Sequence, residues 1–252
     1  MTKNNIVGLI AVRLNSKRLE KKAFLSLYYK KLIHRLIERI KDSKYLNDIA
    51  ICTSIHKLDN SIADFAKKNK IKIFRGSKKD VMSRFILAGK NLKAKHIVRI
   101  TGDNPLTDPG IMDSLIKIHL KNDNEYTYSS SVPIGTSSEI IKFNALIRCY
   151  KNLIDPDSSE YMSWMLNRPD VFKVEDVFFS GRLLKFKDII FTVDEKNEYL
   201  NLKKIYNNFK GNPPSLMNII NWIVKNPNLY TNMTKQKNLK KIKNINCKFK
   251  FD

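Results

Sequence analysis

The sequence predicts an α/β fold in which a mostly parallel sheet is flanked by helices. Short apolar runs alternate with segments whose apolar residues recur at helical spacing, and this alternation repeats four times before residue 122. The chain has 252 residues, 42% of them hydrophobic, which is enough to bury the core of one such domain. Parallel strands joined by right-handed crossovers bring their following loops to one edge of the sheet. We therefore expect the functional residues in the loops that follow strands.

The first half of the chain carries the regular alternation. Helical spacing of Leu25, Leu32, Leu36 and Ile40 predicts the first helix, and an Asp begins each of the next three. The predicted elements are strands at 5–12, 48–53, 70–74 and 96–100, and helices at 25–40, 59–69, 80–91 and 108–121.

The second half is less regular, and we expect it to shape the substrate end. Residues 126–138 are rich in hydroxyl groups and predict an irregular segment. After it, the pattern predicts strands at 139–143, 171–177 and 189–193, and helices at 144–153, 159–167, 198–209 and 215–225. Pro213 and Pro214 interrupt the chain. We assign 1–210 to the main domain and 211–252 to a C-terminal helix and a basic tail packed on the same domain.

The net charge of +23 is the most unusual bulk property. A strongly basic surface attracts nucleic acids and anionic membranes, but these lysines are scattered through almost every segment, as in solvated faces of any fold. No apolar run approaches the ~18 residues that cross a bilayer. The three cysteines are widely spaced and form no C-x-x-C pair, so neither a disulfide framework nor a zinc site is indicated, and a cytoplasmic location is expected.

Basic residues crowd the loop after the first strand. Arg13, Arg18 and Lys22 lie within ten residues of one another, directly after an apolar run. Arginine binds phosphate oxygens in a bidentate fashion, and lysine supplies a mobile charge. A charge run is often only solvated surface, but α/β folds bind nucleotides at this position. The loop is therefore a candidate polyphosphate site.

Two acids follow apolar strands, Asp103 after Thr101-Gly102 and Asp194 after Thr192-Val193. Mg²⁺ takes oxygen ligands, commonly one or two carboxylates completed by phosphates and water. Asp103 could instead cap the following turn. The pair nevertheless makes a metal site credible. The four histidines have no ligand spacing, which argues against a zinc cluster or a Ser-His-Asp triad.

A third block, Phe74-Arg-Gly-Ser-Lys-Lys-Asp-Val-Met-Ser-Arg84, follows the third strand and enters a helix. Contacts to base or ribose are one interpretation. The other is that Asp80 is an N-cap and Arg84 an exposed helix residue.

Together these blocks resemble the cytidylyltransferase family that includes spore-coat polysaccharide biosynthesis proteins and 3-deoxy-manno-octulosonate cytidylyltransferases. The family pattern Ala-Arg-x-x-Ser-x-Arg-Leu-Pro-x-Lys is similar to residues 12–22, and its Arg-Ile-Thr-Gly-Asp-x-Pro-Leu and Thr-Val-Asp blocks match 99–106 and 192–194. This chain departs from the pattern at Glu20-Lys21, where the family has Pro-Gly, and at Tyr29-Lys30-Lys31, where it has Gly-Lys-Pro.

The resemblance implies a single Rossmann-like nucleotide-diphospho-sugar transferase fold and a homodimer that transfers CMP from CTP to an anionic acceptor for surface glycan biosynthesis. It implies catalytic roles for Arg13, Lys22 and Asp103, and Mg²⁺ bound by Asp103 and Asp194. The implied nucleotide-binding residues are Ala11, Arg13, Leu14, Asn15, Ser16, Arg18, Lys22, Thr53, Arg75, Gly76, Ser77, Asp80, Arg84, Thr101 and Gly102. The implied acceptor-binding residues are Asn104, Glu139, Glu160 and Tyr161.

The partners expected are therefore CTP and a small anionic acceptor, with neither nucleic acid nor membrane. Two alternatives stay open at this point. One is a nucleotidyltransferase that uses another nucleoside triphosphate, because base contacts are poorly encoded in sequence. The other is a basic nucleic-acid or membrane-surface binding protein that has lost catalysis.

Overall fold

The computed structural model describes residues 4–16, 18–234 and 250. Its centre is a seven-stranded sheet in the order β5-β4-β1-β6-β8-β7-β9. The strands are β1 (Ile6–Ala11), β4 (Asp48–Ser54), β5 (Lys72–Gly76), β6 (His96–Thr101), β7 (Tyr126–Tyr128), β8 (Glu139–Lys142) and β9 (Val174–Asp176); a separate hairpin pairs β2 (Ser26–Leu27) with β3 (Lys30–Lys31).

Only β8 runs against the rest of the large sheet. β1 pairs in parallel with β4 and β6, β4 with β5, and β7 with β9, whereas β8 is antiparallel to both β6 and β7. The predicted mostly parallel α/β fold is confirmed. The carboxyl ends of β1, β4 and β6 therefore meet at one edge of the sheet.

Ten α-helices surround the sheet within the described ranges. They are α1 (Leu32–Ile40), α2 (Asn60–Lys68), α3 (Val81–Asn91), α4 (Pro109–Lys121), α5 (Phe143–Asn152), α6 (Met162–Leu166), α7 (Arg182–Lys185), α8 (Lys196–Asn208), α9 (Leu216–Val224) and α10 (Pro227–Thr234). Two apolar clusters form the core, with Ile10 and Ile100 in one and Leu9 and Ile97 in the other, so adjacent strand residues face opposite layers. No described helix has both the length and the apolar character that a bilayer crossing requires.

Three predicted elements differ clearly from the structure, and the helix predicted at 159–167 is α-helical only in α6, because the residues up to Tyr161 belong to a 3₁₀ segment. The first helix begins at Leu32, because residues 25–31 form the β2–β3 hairpin, whose turn residues Tyr28 and Tyr29 have φ of 46° and 65°. Arg35 stabilises this hairpin by donating to the carbonyl of Leu27 at 3.0 Å. These are tertiary contacts that helical spacing does not report.

The other two differences lie in the second half. Residues 126–128 form strand β7 within the segment predicted to be irregular. Residues 189–193 do not form a strand; Ile190 makes only an isolated bridge to Ile134. The side chains of Ile189, Phe191 and Val193 are nevertheless buried, which explains the strand-like pattern.

The C-terminal helices pack on the same core as the sheet. Ile219 and Ile223 of α9 and Met233 of α10 are buried in the cluster that contains Ile10. The division at residue 210 stays a prediction. The packing predicted for the basic tail concerns residues that lie outside the described ranges, apart from residue 250.

Candidate active site

Asp103, which follows β6, and Asp194, which follows the irregular segment 189–193, lie on either side of one ammonium group. Lys22 Nζ is 2.6 Å from Asp103 Oδ2 and 2.9 Å from Asp194 Oδ1. All three side chains are largely shielded, with 15%, 23% and 22% of their surface exposed. Residues 81 and 172 positions apart in sequence thus form one charged cluster.

Backbone contacts bring Asp194 to Asp103. The amide of Val193 donates to the carbonyl of Asp103 at 3.0 Å, which ties the two loops together. Gly135 supports the second loop from behind, since its φ is 85° and a Cβ there would lie 2.6 Å from the amide nitrogen of Thr192. A larger residue at 135 would push the segment that carries Asp194 out of place.

Gly102 likewise allows a close backbone approach in the loop that carries Asp103. Its amide donates to the carbonyl of Ala11 at 2.9 Å, and a Cβ on it would lie 2.7 Å from Val12 Cβ. The end of β6 can therefore approach β1 only with glycine at this position. This close approach sets Asp103 beside the loop that carries Lys22.

The charges of the cluster stabilise one another. Burial disfavours the Lys22 ammonium, but attraction and hydrogen bonds from Asp103 and Asp194 outweigh that penalty, so the pKa of Lys22 is raised above its ordinary value. Arg18 adds a second cation, with its Nη2 2.9 Å from Asp194 Oδ1, although more than half of its side chain is exposed.

The basic first loop is held by a buried carboxylate that the sequence did not single out. Asp59 Oδ1 accepts from the Leu14 amide at 2.8 Å, and its other oxygen accepts from the Ser54 hydroxyl. Leu14 is buried, and its carbonyl accepts from the amides of Ser16 and Lys21. Leu14 thus anchors the loop rather than lining its open side. The position of Asp59, an acid at the start of a predicted helix, was the feature of the sequence that could have indicated it.

A cavity of about 270 Å³ opens beside the charged cluster. Nine of the predicted nucleotide-binding or catalytic residues line it, and Arg99, Val12, Ala23 and Val81 complete the lining. The nine are Ala11, Arg13, Asn15, Ser16, Lys22, Arg84, Thr101, Gly102 and Asp103.

Arg84 is the most unusual member of this lining. Its side chain is 1% exposed, and its Nη1 donates to the carbonyl of Cys52 at a long 3.4 Å. Within the described part of the chain, its buried Nε has no hydrogen-bond partner. Desolvation, followed by repulsion from Arg13, lowers the pKa of Arg84. A buried guanidinium so poorly satisfied beside a cavity is suited to receive an anion.

The remaining predicted nucleotide-binding residues do not line the cavity. Arg75 donates to the carbonyl of Ser54 and the side chain of Asn60. Asp80 caps α3 by accepting from the Ser83 amide, and it also accepts from Tyr150 and Ser159. The other members of this group are Leu14, Arg18, Thr53, Gly76 and Ser77.

Glu139, one of the predicted acceptor-binding residues, makes hydrogen bonds to other side chains of the protein. Glu139 accepts from Arg99 Nη1 at 2.8 Å and from the Ser163 hydroxyl at 2.9 Å. Burial, followed by the nearby Glu139 charge, raises the pKa of Tyr126 well above its ordinary value. Glu139 therefore orients Arg99, a cavity residue that the site prediction missed although it begins the Arg-Ile-Thr-Gly-Asp block.

The other three predicted acceptor-binding residues are Asn104, Glu160 and Tyr161. Asn104 donates to Thr101 Oγ1 at 2.6 Å, and its buried Oδ1 has no partner among the described residues. Tyr161 ends a 3₁₀ segment, Pro156–Tyr161, and is partly buried. The side chain of Glu160 lies outside the described part of the structure.

Comparison with known proteins extends the resemblance over most of the chain. A family model described as cytidylyltransferase matches residues 7–214. An uncharacterized protein of Methanocaldococcus jannaschii is 35% identical over 227 residues, which cover 89% of this chain and 92% of the relative. The spore coat polysaccharide biosynthesis protein SpsF of Bacillus subtilis is 27% identical over 235 residues, or 90% and 98% of the two chains.

Among solved structures, a cytidylyltransferase from Leptospira borgpetersenii has a TM-score of 0.80 to this chain at 26% identity, covering 93% of this chain and 98% of that one. The region that the family model matches, residues 7–214, includes the basic first loop, Asp103 and Asp194.

Proposed function

The chain belongs to the cytidylyltransferase family and is a nucleotidyltransferase enzyme, and from this premise we propose that it transfers CMP from CTP to a small anionic acceptor with release of pyrophosphate. The acceptor would be an acidic sugar or a phosphorylated small molecule. One observation carries the proposal: Lys22 joins Asp103 and Asp194 beside a cavity lined by further cations.

The cations around the cavity would hold the triphosphate. Arg13 and Lys22 come from the basic first loop and Arg84 comes from α3, and Arg84 has a buried donor in need of an acceptor. An acceptor oxygen would attack the α-phosphorus in line, forming one P–O bond while the bond to the β-phosphate oxygen breaks and pyrophosphate leaves. Positioning and neutralisation of charge would carry most of the catalysis.

The two acids fit a magnesium ion by the chemistry of their donors. Mg²⁺ favours oxygen ligands and commonly takes only one or two protein carboxylates, with phosphates and water as the rest. Asp103 and Asp194 are already arranged around a positive group, Lys22 Nζ. No set of three His, Cys, Asp or Glu side chains that could hold a metal occurs among the described residues, so substrate oxygens would have to complete the site. When bound, Mg²⁺ would supply charge neutralisation between the anionic reactants.

The acceptor class and the biological setting are inferred from Arg99 and from one relative. Arg99, oriented by Glu139, would suit a carboxylate or phosphate on the acceptor. Surface glycan biosynthesis is suggested by the similarity to the spore coat polysaccharide biosynthesis protein of Bacillus subtilis. The homodimer and the cytoplasmic location stay predictions.

Initial rates with the four nucleoside triphosphates would test the proposal, with pyrophosphate release as the readout. Nonulosonates, octulosonates and phosphorylated polyols would serve as acceptors. We expect turnover with CTP and Mg²⁺, and faster turnover with GTP or UTP would instead support a different nucleotide. Salt-dependent, sequence-independent DNA binding without any turnover would support the basic binding protein.

Asp103→Ala would test the metal assignment. We expect this variant to lose Mg²⁺-dependent CTP turnover, because one of the two carboxylates is removed. Asp64→Ala, which removes an exposed carboxylate from α2, is the matched control and should keep activity. Near-normal turnover by Asp103→Ala would rule out its role as a metal ligand.

A further inference from the structure

Lys22 holds the same carboxylates to which we assign the metal. Its Nζ is within hydrogen-bond distance of one oxygen from Asp103 and one from Asp194. Arg18 also reaches Asp194, but its side chain is 57% exposed, against 15% for Lys22. The shielded cation in the middle of the pair is therefore Lys22.

A cation between these acids is physically required. Two carboxylates in one partly buried site repel each other, and removing the Lys22 ammonium would take from both of them a shielded counter-charge within hydrogen-bond distance. The backbone bond from Val193 to the Asp103 carbonyl keeps the two loops together and limits how far they can separate. In the absence of a metal, the Lys22 ammonium balances the pair.

Only the side chain of Lys22 has to move to release the carboxylates. Its backbone begins the 3₁₀ segment Lys22–Phe24, which is closed by a bond from the Phe24 amide to the Lys21 carbonyl at 2.7 Å. The next residue, Ala23, is buried. Lys22 already lines the 270 Å³ cavity, so rotation of the flexible bonds of its side chain is enough to turn the ammonium toward an anion there.

We propose that Lys22 is a built-in competitor for the metal, which occupies the Asp103–Asp194 pair in the nucleotide-free enzyme and leaves it when a polyphosphate enters the cavity. Metal and nucleotide then bind cooperatively, because each favours the same displaced position of Lys22. This inference rests on the proposed function. It adds the order of events: little metal binds alone, and the carboxylates become available together with the nucleotide.

Metal binding without nucleotide provides the test. Mn²⁺ would be titrated into the full-length wild type and Lys22→Met, with free Mn²⁺ followed by electron paramagnetic resonance. If Lys22 leaves the pair in only about 1–10% of molecules, its removal should strengthen Mn²⁺ binding about 10- to 100-fold. Lys21→Met removes the same charge from an exposed neighbouring position and should leave Mn²⁺ affinity within about twofold of wild type.

Thermal unfolding provides a second readout that does not depend on the titration. In EDTA, Lys22→Met should melt below wild type because its two acids lose the shielded counter-charge that Lys22 supplies, and Mn²⁺ should raise its melting temperature more than that of wild type. Lys22→Ala, judged folded by circular dichroism, would repeat both measurements with a shorter side chain.

Equal Mn²⁺ affinity in wild type and both Lys22 variants would overturn the proposal, as would an equal gain in Lys21→Met. Failure of the proposed function would look different, because wild type would then show no CTP turnover while the metal-binding comparison could still be made.

Discussion

Replacing Arg84 by methionine should stabilise the nucleotide-free protein and weaken its binding of CTP. The guanidinium is buried, its Nε has no partner in the described part of the chain, and Arg13 repels it. Its aliphatic stem packs against Gly76, where a Cβ would lie 3.0 Å from Arg84 Cγ. Methionine keeps an unbranched stem of similar reach without the charge.

The structure allows both magnitudes to be worked out. Replacing poorly compensated buried charge with an apolar side chain commonly stabilises by about 1–4 kcal/mol, and the long bond to Cys52 is a small loss, so we expect a gain of about 1–2 kcal/mol. A charge-assisted hydrogen bond contributes about 1.5–3 kcal/mol, so losing one to a phosphate should raise the Kd for CTP about 10- to 150-fold.

Urea unfolding without nucleotide and calorimetric titration of CTP would measure the two effects. Lys90→Met, an exposed substitution on the same helix α3, is the matched control and should change neither quantity appreciably. A variant of Arg84 that is less stable than wild type and binds CTP equally well would refute the reasoning, since Arg84 would then be a structural residue satisfied by the fold.

Two further predictions concern a glycine and a buried histidine. Gly102→Ala should lower kcat at least about tenfold and stability by about 1–3 kcal/mol, because its Cβ would meet Val12 and shift Asp103; steady-state kinetics and urea unfolding that match wild type would contradict this. His119, which is bonded to His96 and Thr127, has its pKa lowered from 6.5 to about 3 by burial and then by His96. Between those pH values the unfolded chain binds one more proton, so stability contributed by neutral His119 is present above pH 6.5 and falls as pH drops, by about 1.4 kcal/mol per unit. Urea unfolding at about pH 7 and 5 should show this slope reduced in His119→Gln, and an unchanged slope would show that His119 titrates normally in the folded state.

Local pattern was enough to predict much of the fold. The strands and helices between residues 48 and 121 were predicted to within a few residues, because each is a short element with its own apolar period and polar ends. The pattern was less informative where tertiary contacts decide which residues form strands. It missed β7, and it assigned residues 189–193 to a strand because burial alone produces the same apolar run.

The site divides in the same way. Asp103, Asp194 and the basic first loop were recognisable because charged residues followed apolar runs of sequence. The ion pairs that join the two acids through Lys22 were not recognisable. They depend on the close backbone approach that Gly102 and Gly135 allow.

By itself, then, the sequence determined the α/β alternation, the carboxyl-edge position of the charged residues and the family they resemble, since these follow from local periodicity and motif. Only the tertiary structure decided which of them meet. It buried Arg84 beside the cavity, used Asp80 as a helix cap, and set Lys22 between the two acids. Contacts between residues far apart in sequence leave no local pattern from which they could be predicted.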